Sequence, residues 1–174
     1  GEFQSSPGAT ACVACDAGGW CGAGASSVTL CGEGSYRGGL RGASQDDCSP
    51  CPPGSACARG AIEPIACAPA TFSNASNLSA CFVCDAGEFQ SSPGATACVA
   101  CDAGGWCGAG ASSVTLCDEG SYRNASGGAH ASDCVGCGAG YACGKGADER
   151  TACEPGSASE HGVACVGCDA GKFQ

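Results

Sequence analysis

The stretch GEFQSSPGATACVACDAGGWCGAGASSVTLC occupies residues 1–31 and returns without a single change as residues 87–117. Beyond this stretch the match loosens but stays in register, so that Tyr36 has its counterpart 86 positions later in Tyr122. Self-similarity at a long fixed period is typical of repeat proteins, in which each module contacts its neighbours. The sequence therefore predicts a chain built from long tandem repeats.

The first long repeat is assigned to residues 1–86 and the second to residues 87–170, and residues 171–174 begin a third. Inside these repeats the motif C-x-x-C recurs six times. After four of the six pairs come five residues, a Cys, nine residues and another Cys, as in the segment from Cys48 to Cys67. This spacing divides each long repeat into two large modules and one small module.

The composition excludes an ordinary globular core. Cys, Gly and Ala account for 83 of the 174 residues (20, 31 and 32), whereas Leu, Ile, Val and Phe together number 19. That is about 11 % strong apolar residues, well below the roughly 20 % that a packed domain needs. No stretch approaches the roughly 18 apolar residues of a membrane span, and a net charge of −10 argues against nucleic acid as a partner.

Short strands are expected and helices are not. No segment has a helical apolar period, and Gly, Ser, Pro and Asn interrupt each candidate strand within a few residues. The aromatic positions are predicted to lie on arms of small hairpins: Phe3, Tyr36, Phe72, Phe89 and Tyr122. The predicted fold class is small and disulfide-rich, an elongated tandem array of short β-hairpin modules with almost no helix.

The cysteines are interpreted as disulfides and not as metal ligands. The only histidines, His130 and His161, are not in register with each other, and the Cys spacing runs on without separating into two ligand pairs. One Asp per module (Asp16, Asp85, Asp102 and Asp169) is far fewer than the six to eight oxygen ligands of Ca²⁺, so turn capping is the expected role. We expect no metal site, no cofactor and no catalytic residue.

The small module isolates the pairing rule. Its Cys84 begins a Cys-x-x-Gly-x-aromatic element and has no reasonable partner except Cys98, the first Cys of the next C-x-x-C. The same rule, with the remaining cysteines paired across five residues, predicts nine disulfides: Cys15–Cys21, Cys31–Cys48, Cys51–Cys57, Cys67–Cys81, Cys84–Cys98, Cys101–Cys107, Cys117–Cys134, Cys137–Cys143 and Cys153–Cys165. Cys12 and Cys168 are left over, and their partners are expected in adjacent repeats.

Three N-glycosylation acceptor motifs lie in the variable loops, at Asn74, Asn77 and Asn124. Exposed loops are where a glycan can be attached, and disulfides form in the same secretory compartments. We expect N-linked glycans at these positions, with O-linked sugar on Ser- and Pro-rich loops, in an extracellular, cell-surface or secreted protein.

The alternation of C-x-x-G-(S/E)-(Y/F) with a later C-x-x-C resembles the ephrin-receptor-like cysteine-rich repeats, relatives of the tumour-necrosis-factor-receptor modules. It is carried by Cys31–Tyr36, Cys84–Phe89 and Cys117–Tyr122 and covers nearly the whole chain. The resemblance implies an extracellular module found in receptor ectodomains, matrix proteins and the proteins of flagellar hairs (mastigonemes).

Two functions follow as hypotheses. The first is a structural building block of an extracellular, glycosylated filament or coat, a segment of a longer chain whose partners are other copies of itself, since a lattice needs equivalent contacts at equal spacing. The second is a receptor or adhesion ectodomain that binds a protein ligand. A ligand-binding surface favours one specialised aromatic or Arg patch, whereas only Arg37 and Arg123 are in register here.

Overall fold

The computed structural model describes residues 1–170, and within them the chain forms ten two-stranded antiparallel hairpins in succession. We number the hairpins in chain order. Hairpins 1 to 5 pair Glu2–Phe3 with Val13–Ala14, Gly19–Trp20 with Thr29–Leu30, Ser35–Tyr36 with Ser49–Pro50, Ser55–Ala56 with Ile65–Ala66, and Thr71–Phe72 with Phe82–Val83. Hairpins 6 to 10 pair Glu88–Phe89 with Val99–Ala100, Gly105–Trp106 with Thr115–Leu116, Ser121–Tyr122 with Val135–Gly136, Tyr141–Ala142 with Thr151–Ala152, and Ser157–Ala158 with Val166–Gly167.

The predicted fold class of a disulfide-rich tandem series of hairpins is confirmed, and the five aromatic positions do lie on first strands. The hairpin is also a finer unit than the sequence modules, because each large module contains two hairpins. Each long repeat accordingly holds five hairpins. The predicted start of a third repeat, residues 171–174, lies outside the described residues.

A tight turn starts each of hairpins 2 to 10. The motif is Cys-x-x-Gly, replaced once by Cys-x-x-Ala, and its fourth residue has a positive φ, as at Gly54 (81°) and Ala70 (71°). The N–H of Ser55 donates to the carbonyl oxygen of Pro52 at 3.2 Å, which closes a four-residue turn. Pro at the second position and positive φ at the third define a type II turn, and Pro53-Gly54 supplies both.

Helical structure is confined, among residues 1–170, to two single 3-10 turns at Gln45–Asp47 and Ala131–Asp133. They lie 86 residues apart, in the loops of hairpins 3 and 8. Each shortens a long connection so that the second strand of its hairpin begins directly after Cys48 or Cys134.

Half-cystines form the buried interior. The twelve buried hydrophobic residues of the described chain are all Cys, and no aliphatic or aromatic side chain joins them. No Val, Leu or Ile side chain of residues 1–170 is buried: Val28, Leu78 and Val114 are half-buried, and the others are exposed, from 45 % at Leu30 to 69 % at Val166. The fold is therefore held by cross-links and main-chain hydrogen bonds, as in small domains that lack apolar material.

The structure joins the same nine cysteine pairs that the spacing rule predicts. Their Cα–Cα separations run from 5.5 Å in Cys153–Cys165 to 6.2 Å in Cys137–Cys143, inside the ordinary range for disulfides. Cys12 is an exposed thiol and Cys168 a half-buried one. There are two kinds of bridge: five span a hairpin, and four join a turn to the end of the strand that follows it. The two kinds alternate except where Cys67–Cys81 and Cys84–Cys98, which both span a hairpin, follow each other.

The chain divides into two compact units. The first comprises Gly1–Phe82 together with Ser92–Ala97, and the second comprises Val83–Ser91 together with the described residues from Cys98 to Ala170. The boundary between long repeats at residue 86 stays a prediction, because a division by compactness does not locate the start of a sequence repeat. The short segment Ser92–Ala97, which connects the strands of hairpin 6, belongs with the first unit.

Candidate functional site

A recurrent main-chain contact links non-adjacent hairpins within each unit. In the first unit, a Cβ built on the turn glycine Gly34 would lie 2.1 Å from the carbonyl oxygen of Asn77, in the loop of hairpin 5. In the second unit, a Cβ on Gly104 would lie 2.2 Å from the carbonyl oxygen of Gly146, in the loop of hairpin 9. Only a residue without a side chain allows this approach.

Hydrogen bonds hold the same loops in place. The loop residue has a left-handed φ in each case, and its N–H donates to the carbonyl oxygen of a turn cysteine. In the first unit Asn77 donates to Cys51 at 2.9 Å and Gly94 to Cys67 at 2.7 Å. The stacking of hairpins thus depends on the backbone and on Gly and Cys, and places few demands on other side chains.

The three glycosylation acceptors are all exposed, as the attachment of a glycan requires. Asn77 also has a structural reason to be Asn, since its φ is 65° and Asn tolerates the left-handed region better than most residues. The loop of Asn124 is held by the guanidinium of Arg123, which donates to the carbonyl oxygens of Ala125 and Ser126. Neither Asn74 nor Asn124 has a left-handed φ that would favour Asn, so the acceptor motif is the better explanation for these two.

Three arginines make contacts within their own hairpins. Arg37, the counterpart of Arg123, donates to the carbonyl oxygen of Leu40 at 2.9 Å and so fixes its own loop. Arg150 lies over the ring of Tyr141, 4.1 Å from its centroid. The in-register arginines thus stabilise loops, which is a structural role.

Two carboxylates that the sequence reasoning missed shape the long loops. Asp47 accepts hydrogen bonds from the N–H groups of Ala43 at 2.6 Å and Ser44 at 3.1 Å, and these bonds hold its pKa below the ordinary value of 3.8. Asp133 has the equivalent bonds from Ala129 and His130, and its pKa is lowered for the same reason. Their spacing of 86 residues, which places both Asp residues at the same position of the long repeat, is the sequence signal that could have identified them.

The expected capping Asp residues behave differently. Asp16, Asp85 and Asp102 are exposed and have no side-chain hydrogen bond among the described residues. The Asx-turn role predicted for these three is therefore wrong, because the N–H of the Gly two positions later donates to a carbonyl oxygen of another hairpin, as Gly18 does to Arg37 at 2.7 Å.

Residues 1–170 contain no group of three or more His, Cys, Asp or Glu side chains arranged to hold a metal ion. No helix in that part of the chain is long and apolar enough to cross a membrane. Nine disulfides indicate folding in an oxidising compartment, as in secreted and extracellular proteins.

No protein-family model and no curated protein matches this chain.

Proposed function

We propose that this protein is a structural building block of an extracellular, glycosylated filament or coat, in which copies of the chain associate with one another. The observation that carries the proposal is the main-chain contact between a turn glycine and a loop, which recurs within both units. A contact made of backbone atoms can be repeated without a specialised side-chain partner, and equal contacts at equal spacing are what an extended assembly requires.

The surface chemistry fits the same role. Half-cystines supply the buried interior, so the outer side chains are free to carry glycans, charge and small residues. A net charge of −10 favours solubility over attachment to anionic surfaces. The proposal assigns no catalytic residue and no cofactor, only covalently attached sugar.

Electron microscopy of the native material tests this function. A regular fibre or lattice whose subunit spacing is a fixed multiple of one long repeat supports the proposal. Isolated, irregularly distributed molecules on a cell surface, each bound to a different protein, would instead favour the receptor or adhesion hypothesis.

Glycan attachment is tested separately by mass spectrometry of peptides before and after enzymatic removal of N-linked sugar. We expect occupancy at Asn74 and Asn124 and lower occupancy at Asn77, which lies three residues from Asn74. Unmodified peptides at all three positions would remove the glycoprotein part of the proposal, but would leave the assembly part standing.

A further inference from the structure

All three asparagines of the chain lie in N-glycosylation acceptor motifs, namely Asn74, Asn77 and Asn124. Ser and Thr together account for 26 of the 174 residues (20 and 6), so chance alone would seldom place one of them two positions after every Asn. Two of the three motifs also share their setting. The segments Phe72–Ser76 and Tyr122–Ser126 both read aromatic-x-Asn-Ala-Ser.

This likeness does not come from the long repeat. Asn74 lies in the loop of hairpin 5, and the residue 86 positions later is Glu160. Asn124 lies in the loop of hairpin 8, and the residue 86 positions earlier is Gly38. Each of these two Asn residues nevertheless follows, by two positions, the aromatic residue that ends the first strand of its hairpin. The spacing between the aromatic and the Asn is therefore a feature of its own.

The residue between the aromatic and the Asn is fixed by its main chain in both hairpins. Ser73 donates its N–H to the carbonyl oxygen of Ala95 at 3.0 Å, and its own carbonyl oxygen accepts from the N–H of Gly54 at 2.8 Å. Arg123 makes the equivalent two bonds, with the loop of hairpin 9 at 3.0 Å and with the turn of hairpin 7 at 2.7 Å. The backbone that carries each Asn is thus held in one position relative to the aromatic ring.

Burial alternates along this segment of hairpin 5. Phe72 is half-buried, Ser73 is fully buried and Asn74 is exposed. In an extended chain, residues two positions apart lie on the same face. The Asn74 side chain therefore leaves the chain on the same side as the ring of Phe72, and Ser73 lies on the opposite side.

Hairpin 5 also has exposed aromatic surface beside this acceptor. Phe82, on the second strand, is the one exposed aromatic side chain among residues 1–170, with an exposed fraction of 50 %. Its ring centroid lies 5.8 Å from that of Phe72, and the two rings are tilted by 45°. An apolar surface of two rings is thus open to solvent next to the site at which a sugar would be attached.

Hairpin 8 has the same arrangement with a single ring. Half-buried Tyr122 pairs with Val135 on the second strand, and the Val135 side chain is 57 % exposed. The guanidinium of Arg123 is engaged by the carbonyl oxygens of Ala125 and Ser126, so it fixes the loop that carries the acceptor. Both acceptors therefore lie on a fixed backbone beside an apolar surface that contains an aromatic ring.

We propose that Phe72 and Tyr122 are sugar-binding residues, each of which packs against the first N-acetylglucosamine of the glycan on the Asn two positions later. The proposal rests on the glycan attachment proposed above and names what the first sugar contacts. One face of a pyranose ring carries C–H groups that are apolar and weakly positive, and the face of an aromatic ring is the negative part of its quadrupole. Contact between the two faces buries apolar surface and fixes the direction in which the glycan leaves the chain.

Ring-current shifts measured by NMR detect this contact, because protons that lie over an aromatic ring move upfield. The test uses the full chain, secreted with high-mannose N-glycans and trimmed enzymatically to one N-acetylglucosamine per site. We expect upfield shifts for the sugar protons on Asn74 and Asn124. Phe72→Leu should reduce the shift at the first site only, and Tyr122→Leu the shift at the second site only. Each variant is thus the matched control for the other, and Leu retains apolar volume so that the hairpin still folds.

A second pair of variants removes one sugar at a time without changing an Asn. Ser76→Ala destroys the acceptor motif of Asn74, and Ser79→Ala destroys that of Asn77 by the same substitution. Both serines are exposed. Asn77 is the internal contrast, since the residue two positions before it is Ala75 and not an aromatic.

Amide exchange measures how far the sugar stabilises the hairpin. The Ser73 amide should exchange about three- to tenfold faster in Ser76→Ala than in the parent protein, as the loss of one aromatic contact would give. Ser79→Ala should leave this exchange unchanged. In the Phe72→Leu background, Ser76→Ala should also have no effect on it, because the ring that binds the sugar is already absent.

Glycan occupancy separates this proposal from the function on which it rests. Sugars present on Asn74 and Asn124, with proton shifts that the two Leu variants leave unchanged, would overturn the sugar-binding role and leave the glycoprotein function standing. Unmodified Asn74 and Asn124 in the mass-spectrometric analysis would reject both glycan attachment and the sugar-binding role.

Discussion

The most direct test of the stacking contact compares one substitution at two equivalent places. Gly54 and Gly140 are 86 residues apart, each is the fourth residue of a Cys-x-x-Gly motif, and they share a φ of 81°. Their surroundings differ: Gly54 is approached by the carbonyl oxygen of Gly94, whereas a Cβ built on Gly140 would have nothing within 4 Å. The pair Gly54→Ala and Gly140→Ala therefore separates backbone strain from steric overlap.

Strain alone gives the smaller effect. An L-residue with a left-handed φ costs about 1–2 kcal/mol. Replacing Gly by Ala also lowers the conformational entropy of the unfolded chain, which offsets about 0.4–1 kcal/mol of that cost. We expect Gly140→Ala to lower the free energy of unfolding by about 1 kcal/mol. The measurement is made on dilute protein, so that contacts between copies do not contribute.

Overlap adds to that cost at Gly54. The carbonyl oxygen of Gly94 must move from 2.3 Å to beyond 3.0 Å from the new Cβ. That shift breaks the bonds from Gly94 to Cys67 and from Ser73 to Ala95, at about 1 kcal/mol each. Gly54→Ala should thus lose about 3 kcal/mol in all.

Guanidinium unfolding with the nine disulfides intact measures the totals, and hydrogen exchange measures the local part. The extra 2 kcal/mol corresponds to roughly 30-fold faster exchange of the Gly94 amide in Gly54→Ala. In Gly140→Ala the exchange of that amide should not change. Equal losses of stability in the two variants, with an unchanged Gly94 amide in both, would refute the argument that this contact stabilises the fold.

Three further outcomes are expected. Ala70→Gly should raise the free energy of unfolding by about 0.5–1 kcal/mol, because it relieves a left-handed Ala at some cost in unfolded-chain entropy; a melt of the variant beside the parent protein measures it. Hydrogen bonds lower the pKa of Asp133 in the folded state, so its stabilising contribution is present above pH 3.8 and is lost as the pH falls through the folded pKa. Amide exchange of Ala129 should quicken over that acidic range, and Asp133→Asn should show the quickened exchange at neutral pH. Removing the Cys117–Cys134 bridge, whose cysteines are 17 residues apart, should lower the free energy of unfolding by about 3 kcal/mol, against about 2 kcal/mol for Cys101–Cys107, whose cysteines are 6 residues apart. Replacing both cysteines of each bridge by Ala and comparing denaturant midpoints measures the difference. A larger loss from the shorter loop would contradict the chain-entropy account.

The fold class could be predicted because cysteine spacing determines which residues are brought together when little else can be buried. The pairing rule came from the small module around Cys84. In that module no second Cys follows at a spacing of five residues, so Cys98 is the one reasonable partner. The first hairpin of a large module, which begins at the second Cys of the C-x-x-C pair, was harder to predict from the sequence. Hairpins 4 and 9 begin as Cys51-Pro-Pro-Gly54 and Cys137-Gly-Ala-Gly140 but carry no aromatic at the expected position, so the aromatic was too strict a marker. The essential signal was Gly with a positive φ, three residues after Cys.

The contacts between hairpins were beyond prediction for a different reason. They join main-chain atoms of residues whose type gives no indication of the contact, such as Gly34 and Asn77. The hydrophobic pattern, which normally indicates what faces a core, carries no information where the interior is cystine. The Asp47 cap was also hard to foresee, because its partners are backbone N–H groups and an acidic residue in a polar loop has no distinguishing pattern.

An interface of backbone atoms also bears on the choice between the two functions. The loop of hairpin 6 contacts Gly54, Cys67 and Ser73, and the same residue types recur 86 positions later. Over the same spacing Pro52-Pro53 becomes Gly138-Ala139 and Thr71-Phe72 becomes Ser157-Ala158. The loop of hairpin 6, residues 91–97, has the same seven residues as the loop of hairpin 1, residues 5–11. A receptor surface would need particular side chains at particular modules, since a few aromatic and Arg residues dominate such binding. Here the side chains vary and the turn geometry persists, which favours a chain selected to stack on more of itself.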